Sequence, residues 1–159
     1  MATRGNGGRL GPLVLAVSAV LVLPAGGGGG LHAQTAGCAR ADFESVVGSA
    51  AGALRDLAQR NTPVFQGKLR DLKDKRGWSH DQFLREAAPF VQDDKIAEFD
   101  GKSEELLGRI AAMGQEGASA ATPDCTELTE LKGIMQGLVD TQQAKWAYMF
   151  GKLDAELAK

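Results

Sequence analysis

Residues 123–159, PDCTELTELKGIMQGLVDTQQAKWAYMFGKLDAELAK, carry an unbroken helical pattern. Their apolar side chains, with one glutamine among them, recur every three or four positions and so fall on one helix face: Leu128, Leu131, Met135, Leu138, Gln142, Trp146, Met149, Leu153 and Leu157. The pattern predicts a C-terminal helix that begins near Pro123 or Asp124 and is roughly 50 Å long at about 1.5 Å per residue. We expect the shorter helices to pack on it.

The same periodicity extends toward the N-terminus, and no alternating run typical of a strand interrupts it. A first helix is predicted from Asp42 to Arg60. The segment Asn61-Thr62-Pro63 is a break, because the residue before a proline avoids the helical region. A second helix is therefore predicted from Pro63 to Arg76, with Thr62 as its cap and Gly77 as its end.

Two further helices precede the C-terminal one. Ser79 and Gln82 have the spacing of a capping box, which predicts a third helix that ends near Ala88. Asp93 can cap a fourth helix, which Gly114 is expected to close before a polar linker at residues 115–122. The sequence thus predicts an all-α fold, a small bundle of about five helices with a long C-terminal helix.

Residues 1–33 have the composition of a secretory signal peptide. Arg4 and Arg9 precede an apolar run at residues 13–23, and no acid occurs in this part of the chain. The run is shorter than the roughly 20 residues that a bilayer span needs, and its length is typical of a signal-peptide core. A retained membrane anchor is the alternative interpretation.

Cleavage is expected after Ala33, with a cut after Ala36 as the second choice. Residues 34–159 would then form a single helical domain in the periplasm or outside the cell, with no transmembrane segment left. A lipid anchor at Cys38 is a further alternative, since small residues precede this cysteine as in a bacterial lipobox.

The two cysteines, Cys38 and Cys125, predict one disulfide, because an even pair in an oxidising compartment is usually bridged. Two unpaired thiols are the alternative. Cys38 stands just before the first helix and Cys125 at the start of the last. A bridge between them predicts that these two helices lie side by side and run parallel.

The charge of the chain argues against nucleic acid as a partner. Arg4 and Arg9 are the only charged residues before position 34, so the net charge of −2 becomes −4 once they are removed. Nucleic acids and anionic membranes both require a basic patch. The most basic stretch, Lys68 to Arg76, is interleaved with acids and is typical of a solvated helix face.

The aromatic segment around position 148 is the candidate partner surface. Trp146 and Phe150 lie on the core side of the C-terminal helix, whereas Tyr148 is expected to point away from it. Core packing explains the first group, and a partner or ligand surface is the alternative explanation. The predicted surface consists of Lys145, Trp146, Tyr148, Phe150 and Lys152.

Glycines form a second pattern on the first and last helices. They fall opposite the apolar stripes, where an interior glycine lowers helix stability by about 1 kcal/mol relative to alanine: Gly48, Gly52, Gly133, Gly137 and Gly151. One interpretation is a second packing face that another helix, or a second copy in a weak homodimer, approaches closely. The other is the composition of an Ala/Gly-rich chain.

No catalytic, cofactor or metal motif is present in the sequence, and His80 is the sole histidine after the leader. We therefore expect a non-enzymatic protein of the cell envelope that binds another protein, as adaptor, chaperone-like or structural component. The alternative is a carrier of an apolar small molecule. Its cavity between helices would be lined by residues such as Phe65, Phe83, Phe99, Met135 and Trp146.

Overall fold

The computed structural model describes residues 38–119 and 122–159, and the helical content of these residues confirms the predicted fold class. Four α-helices and one short 3-10 helix make up the described chain: α1 (Arg40–Arg76), α2 (His80–Ala87), the 3-10 helix (Ala88–Phe90), α3 (Asp94–Ser119) and α4 (Cys125–Leu157). The predicted signal peptide and both cleavage sites lie outside the described residues.

The long C-terminal helix, α4, is the centre of the bundle, with α1 and α3 packed along it. The Cys38–Cys125 disulfide joins the starts of α1 and α4, with 5.3 Å between the Cα atoms. At the other end of the same two helices, Arg76 forms a salt bridge with Glu156 at 3.0 Å. The predicted disulfide and the predicted parallel pairing are both confirmed.

The helix α3 runs antiparallel to α4. Its N-terminal cap, Asp93, lies beside Lys152, whereas Arg109 near its C-terminal end pairs with Glu130 at 2.8 Å. Midway along, the amide of Gln142 donates to the hydroxyl of Ser103 at 2.8 Å. Gln142, the one polar residue on the predicted apolar stripe of the last helix, therefore has a polar partner on α3.

The predicted break at Asn61-Thr62-Pro63 is wrong, because α1 continues through Pro63 without interruption. The proline removes one backbone donor and crowds the carbonyl four residues earlier. Both Pro63 and Gln59, whose carbonyl loses its partner, are exposed, so water can bind that oxygen. Packing of α1 against α4 on both sides of the proline outweighs the local penalty.

The predicted helix ends at Gly77, Ser79 and Gly114 can be compared with the observed ones. The capping box at Ser79 and Gln82 has both of its hydrogen bonds, at 2.8 and 3.3 Å, and α2 follows it as predicted. Gly77 ends α1 in the left-handed conformation, with φ of 63°. Gly114 does not end α3, which runs on to Ser119, so much of the predicted linker is helical.

The buried side chains form clusters along α4. One lies between the C-terminal half of α4, the second half of α1 and the start of α3: Phe65, Leu72, Phe90, Ile96, Met149 and Leu153. A second lies nearer the disulfide: Ala50, Leu131, Met135 and Val139. A third joins α3 to α4: Leu106, Ile134 and Leu138. Among the described helices, none is long and apolar enough to cross a membrane.

Candidate functional site

The five residues of the predicted partner surface lie on two different sides of α4. Trp146 and Phe150 face α1, where their rings contact that of Phe65 edge-on at centroid distances of 5.9 and 5.5 Å. All three rings belong to the core cluster at this end of the bundle. Trp146 and Phe150 are half-buried, so part of each ring also reaches the surface.

The other three residues, Lys145, Tyr148 and Lys152, face α3. Lys145 forms a salt bridge with Asp100, and Lys152 pairs with Asp93. The Tyr148 hydroxyl donates to the same Asp93 carboxylate at 2.9 Å. Tyr148 is thus half-buried rather than directed away from the core, because Asp93 offers it a charged acceptor.

The protonation states of this group follow from its contacts. The Lys152 ammonium and the Ile96 backbone N–H both bond the Asp93 carboxylate and lower its pKa to about 2. The hydrogen bond to Asp93 raises the pKa of Tyr148. Proton transfer at neutral pH needs a group that titrates near neutrality, and neither of these does. Their role in the fold is to fasten the start of α3 to α4.

A groove of about 400 Å³ lies between α1 and α4, and the sequence analysis missed it. Its floor is apolar, and its rims carry short polar side chains on the α1 side and longer ones on the α4 side. The lining residues are Ser45, Val46, Ser49, Ala50 and Ala53 of α1 with Lys132, Met135, Gln136 and Val139 of α4. The signal that could have revealed it is the run of Ser and Ala at helical spacing, which belongs to neither an apolar nor a charged face.

The groove and α3 use different faces of α4. Ile134 and Leu138 turn toward Leu106 of α3, whereas Lys132 and Gln136 turn toward the groove. Apolar surface continues beyond the groove along the same helix faces. On α1, Val64 lies three turns after Ala53 and is 52% exposed.

Among the glycines of the predicted second packing face, only Gly137 is contacted closely by another part of the described chain. Gly137 lies under Leu106 of α3, whose Cδ1 would be 3.8 Å from an added Cβ atom. A Cβ atom added at Gly48, Gly52, Gly133 or Gly151 would have no neighbouring atom within 4 Å. These four positions therefore leave the backbone open to close approach from outside.

The residues named for a small-molecule cavity do not share one lining. Met135 borders the groove, whereas Phe65 and Trp146 pack on each other in the core. Phe99 lies against Tyr148 on the α3 side, at a centroid distance of 6.3 Å. Among residues 38–119 and 122–159, no three His, Cys, Asp or Glu side chains are grouped so that they could hold a metal ion.

Comparison with protein families, with curated proteins and with solved structures found no match for this chain.

Proposed function

We propose that this chain is an exported, non-enzymatic protein of the cell envelope that binds another protein through the groove between α1 and α4. It would act as an adaptor, a chaperone-like protein or a structural component. The observation that carries the proposal is the open groove itself, whose apolar floor of Ala50, Met135 and Val139 runs between two parallel helices.

The shape of the groove favours an amphipathic helix as the occupant. Two parallel helices form a straight channel, and helix-in-groove binding places an apolar helix face into such a channel. On the α1 side the polar lining residues, Ser45 and Ser49, have short side chains, so a partner helix can approach closely. The lined part covers about two turns of α1, roughly 12 Å at about 1.5 Å per residue.

The charge of the groove favours an acidic partner over a second copy of this chain. Lys132 is the charged side chain among the lining residues, and no acid lines the groove. A symmetric dimer formed through this groove would bring the Lys132 of the second copy close to that of the first. A partner helix with an acid opposite Lys132 would gain complementarity, which chiefly supports specificity and association rate.

The compartment is supported by two independent features. The pattern at residues 1–33 is typical of leaders of exported proteins, and the Cys38–Cys125 bridge is of the kind that persists in oxidising compartments. Together they favour the periplasm or the outside of the cell.

The proposal is tested by affinity capture from the native envelope with groove variants. Ser49→Trp fills the groove, whereas the matched Ala51→Trp places the same ring on an exposed position of α1 outside the lining. We expect a specific partner to be lost with Ser49→Trp and kept with Ala51→Trp. A partner captured equally by both variants would contradict the groove as the binding site.

The charge argument has its own pair of variants. Lys132→Glu should weaken capture by tenfold or more, and Arg70→Glu, on an exposed part of α1, should leave it unchanged. Equal capture by the two would contradict an acidic partner helix. If no protein is captured and an apolar dye binds in the groove of the wild type but not of Ser49→Trp, the carrier function replaces the present proposal.

A further inference from the structure

We infer that the Cys38–Cys125 disulfide is a switch, reducible by dithiols, that holds the first turns of α1 and thereby keeps one wall of the groove in place. The effect on partner binding rests on the proposed function. The effect on α1 does not, and it can be measured without any partner.

The first turns of α1, residues 40–49, are held by few contacts: a hydrogen bond from the Ala39 N–H to the Asp42 carboxylate at 2.7 Å, and the packing of Phe43 and Val46 on the core. The residue that caps them is Ala39, which has no side-chain acceptor for the free N–H groups. The first buried side chain of the helix is Ala50, and only Phe43 and Val46 before it are half-buried. A helix terminus with so few buried contacts opens locally at low free energy.

The second half of α1 is anchored independently of the disulfide. Phe65 and Leu72 lie in the core with exposed fractions of 4% and 0%. Lys68 pairs with Asp154, and Lys75 donates to the carbonyl of Leu157 at 2.6 Å. Loss of the disulfide should therefore act unequally on the two halves of the helix.

The groove depends on the half that the disulfide holds. Ser45, Val46 and Ser49 belong to the weakly supported turns, and Ala50 follows directly. When residues 40–49 open, three of the five α1 lining residues leave the groove, while its α4 wall remains. The redox state of one bond would thus set whether the groove exists.

The position of the bond favours thiol–disulfide exchange with Cys125 as the leaving sulfur. Cys125 is the first residue of α4, and the Cys38 backbone N–H donates to its Sγ at 2.9 Å. The helix N-terminus and this N–H both stabilise negative charge on that sulfur. Exchange is faster when the leaving thiolate is the better stabilised one.

The step is a two-electron reduction by a dithiol. One thiolate of the dithiol attacks Sγ of Cys38, the bond between the two cysteines breaks, and its electron pair goes to Sγ of Cys125, which then takes up a proton. The second thiol of the dithiol attacks the mixed disulfide and releases Cys38. The reductant ends as its own disulfide, and the protein has gained two electrons and two protons.

The test compares Cα chemical shifts of the isotope-labelled protein when oxidised and when reduced by dithiothreitol. We expect the Cα secondary shifts of residues 40–49, measured from their random-coil values, to fall by at least half on reduction. Those of residues 63–76 should stay within a tenth of their values in the oxidised protein. The Cys38→Ser/Cys125→Ser double variant, kept under oxidising conditions, should match the reduced protein and so control for the reductant.

Secondary shifts that stay unchanged throughout α1 on reduction would overturn the switch. Loss of helical shifts throughout α1 would also overturn it, because the disulfide would then support the whole helix and not its first turns alone. Neither outcome bears on the groove capture experiment. The leaving sulfur is checked by trapping with stoichiometric glutathione and alkylating the free thiol. Peptide mapping should find glutathione on Cys38 and the alkyl group on Cys125; the reverse pattern would overturn the assignment.

Discussion

Replacing Pro63 with alanine should stabilise this protein, because α1 passes through that position as a regular helix. Proline in a helix interior is about 3 kcal/mol less favourable than alanine. Part of that gain is offset, since alanine gives the unfolded chain more freedom, an effect of up to about 1 kcal/mol. A net gain of about 2 kcal/mol is expected, and the new N–H can bond the carbonyl of Gln59.

The gain corresponds to a rise in Tm of about 8 °C, given an unfolding entropy of about 2.1 cal/mol/K per residue for a chain of this size. Circular dichroism during thermal and urea unfolding of the oxidised protein measures it. Thr62→Ala is the matched control at the neighbouring exposed position, and a gain of a few tenths of a kcal/mol, from propensity alone, is expected there.

The two variants separate a continuous helix from a broken one. If the chain broke at residues 61–63, Thr62 would be an N-cap and its loss would destabilise the protein by about 1 kcal/mol. Pro63→Ala would then be close to neutral, because proline suits the first position of a helix. A neutral Pro63→Ala together with a destabilising Thr62→Ala would refute a continuous α1.

Three further changes test the packing around α4. Asp93→Asn keeps the helix cap but loses the charge opposite Lys152. Because the pKa of Asp93 is lowered to about 2, the ionised carboxylate stabilises the fold above pH 4, and this stabilisation is lost as the pH falls toward 2. In urea titrations the wild type should therefore be more stable than the variant at pH 7 and equally stable near pH 2. Ser103→Ala leaves the Gln142 amide without its acceptor and should lower the free energy of unfolding by about 1 to 2 kcal/mol; no loss in urea unfolding would show that the bond contributes nothing. Leu72→Ala creates a cavity at a fully buried position and should lower the free energy of unfolding by about 3 kcal/mol. A loss below 1 kcal/mol in the same assay would contradict the packing of the core cluster that contains Leu72.

Local signals predicted the parts of the fold that depend on local chemistry. The capping box at Ser79 and the glycine at position 77 set helix ends through hydrogen bonds within a few residues, so sequence suffices there. The disulfide also needed only the positions of Cys38 and Cys125 relative to their helices. From that bond the parallel pairing of α1 and α4 followed.

The errors arose where packing outweighs propensity. Pro63 is an ordinary helix-ending signal, yet it lies inside a helix that packs on α4. Gly114 is another, and it lies inside α3 directly after Met113, which packs against buried residues of α4. The groove was missed for another reason. It is formed by small residues such as Ser49 and Ala53. Whether small residues leave a groove depends on the distance between α1 and α4, and the sequence of neither helix alone determines that distance.

The candidate surface at residues 145–152 shows the same limit. Sequence grouped these side chains by their proximity along α4, whereas the fold divides them between α1 and α3 according to the partners that those helices offer. Asp93, which binds both Tyr148 and Lys152, is 55 or more residues away in the chain. Such a pairing cannot be found from spacing along one helix.

Binding through the groove is tested most directly by the footprint of a captured partner, measured by amide hydrogen exchange of the oxidised protein alone and in the complex. We expect protection confined to the two sides of the groove, residues 45–53 of α1 and 132–139 of α4, with little change around the exposed Leu107 of α3. Protection centred on α3 or on α2, with residues 45–53 unchanged, would contradict it.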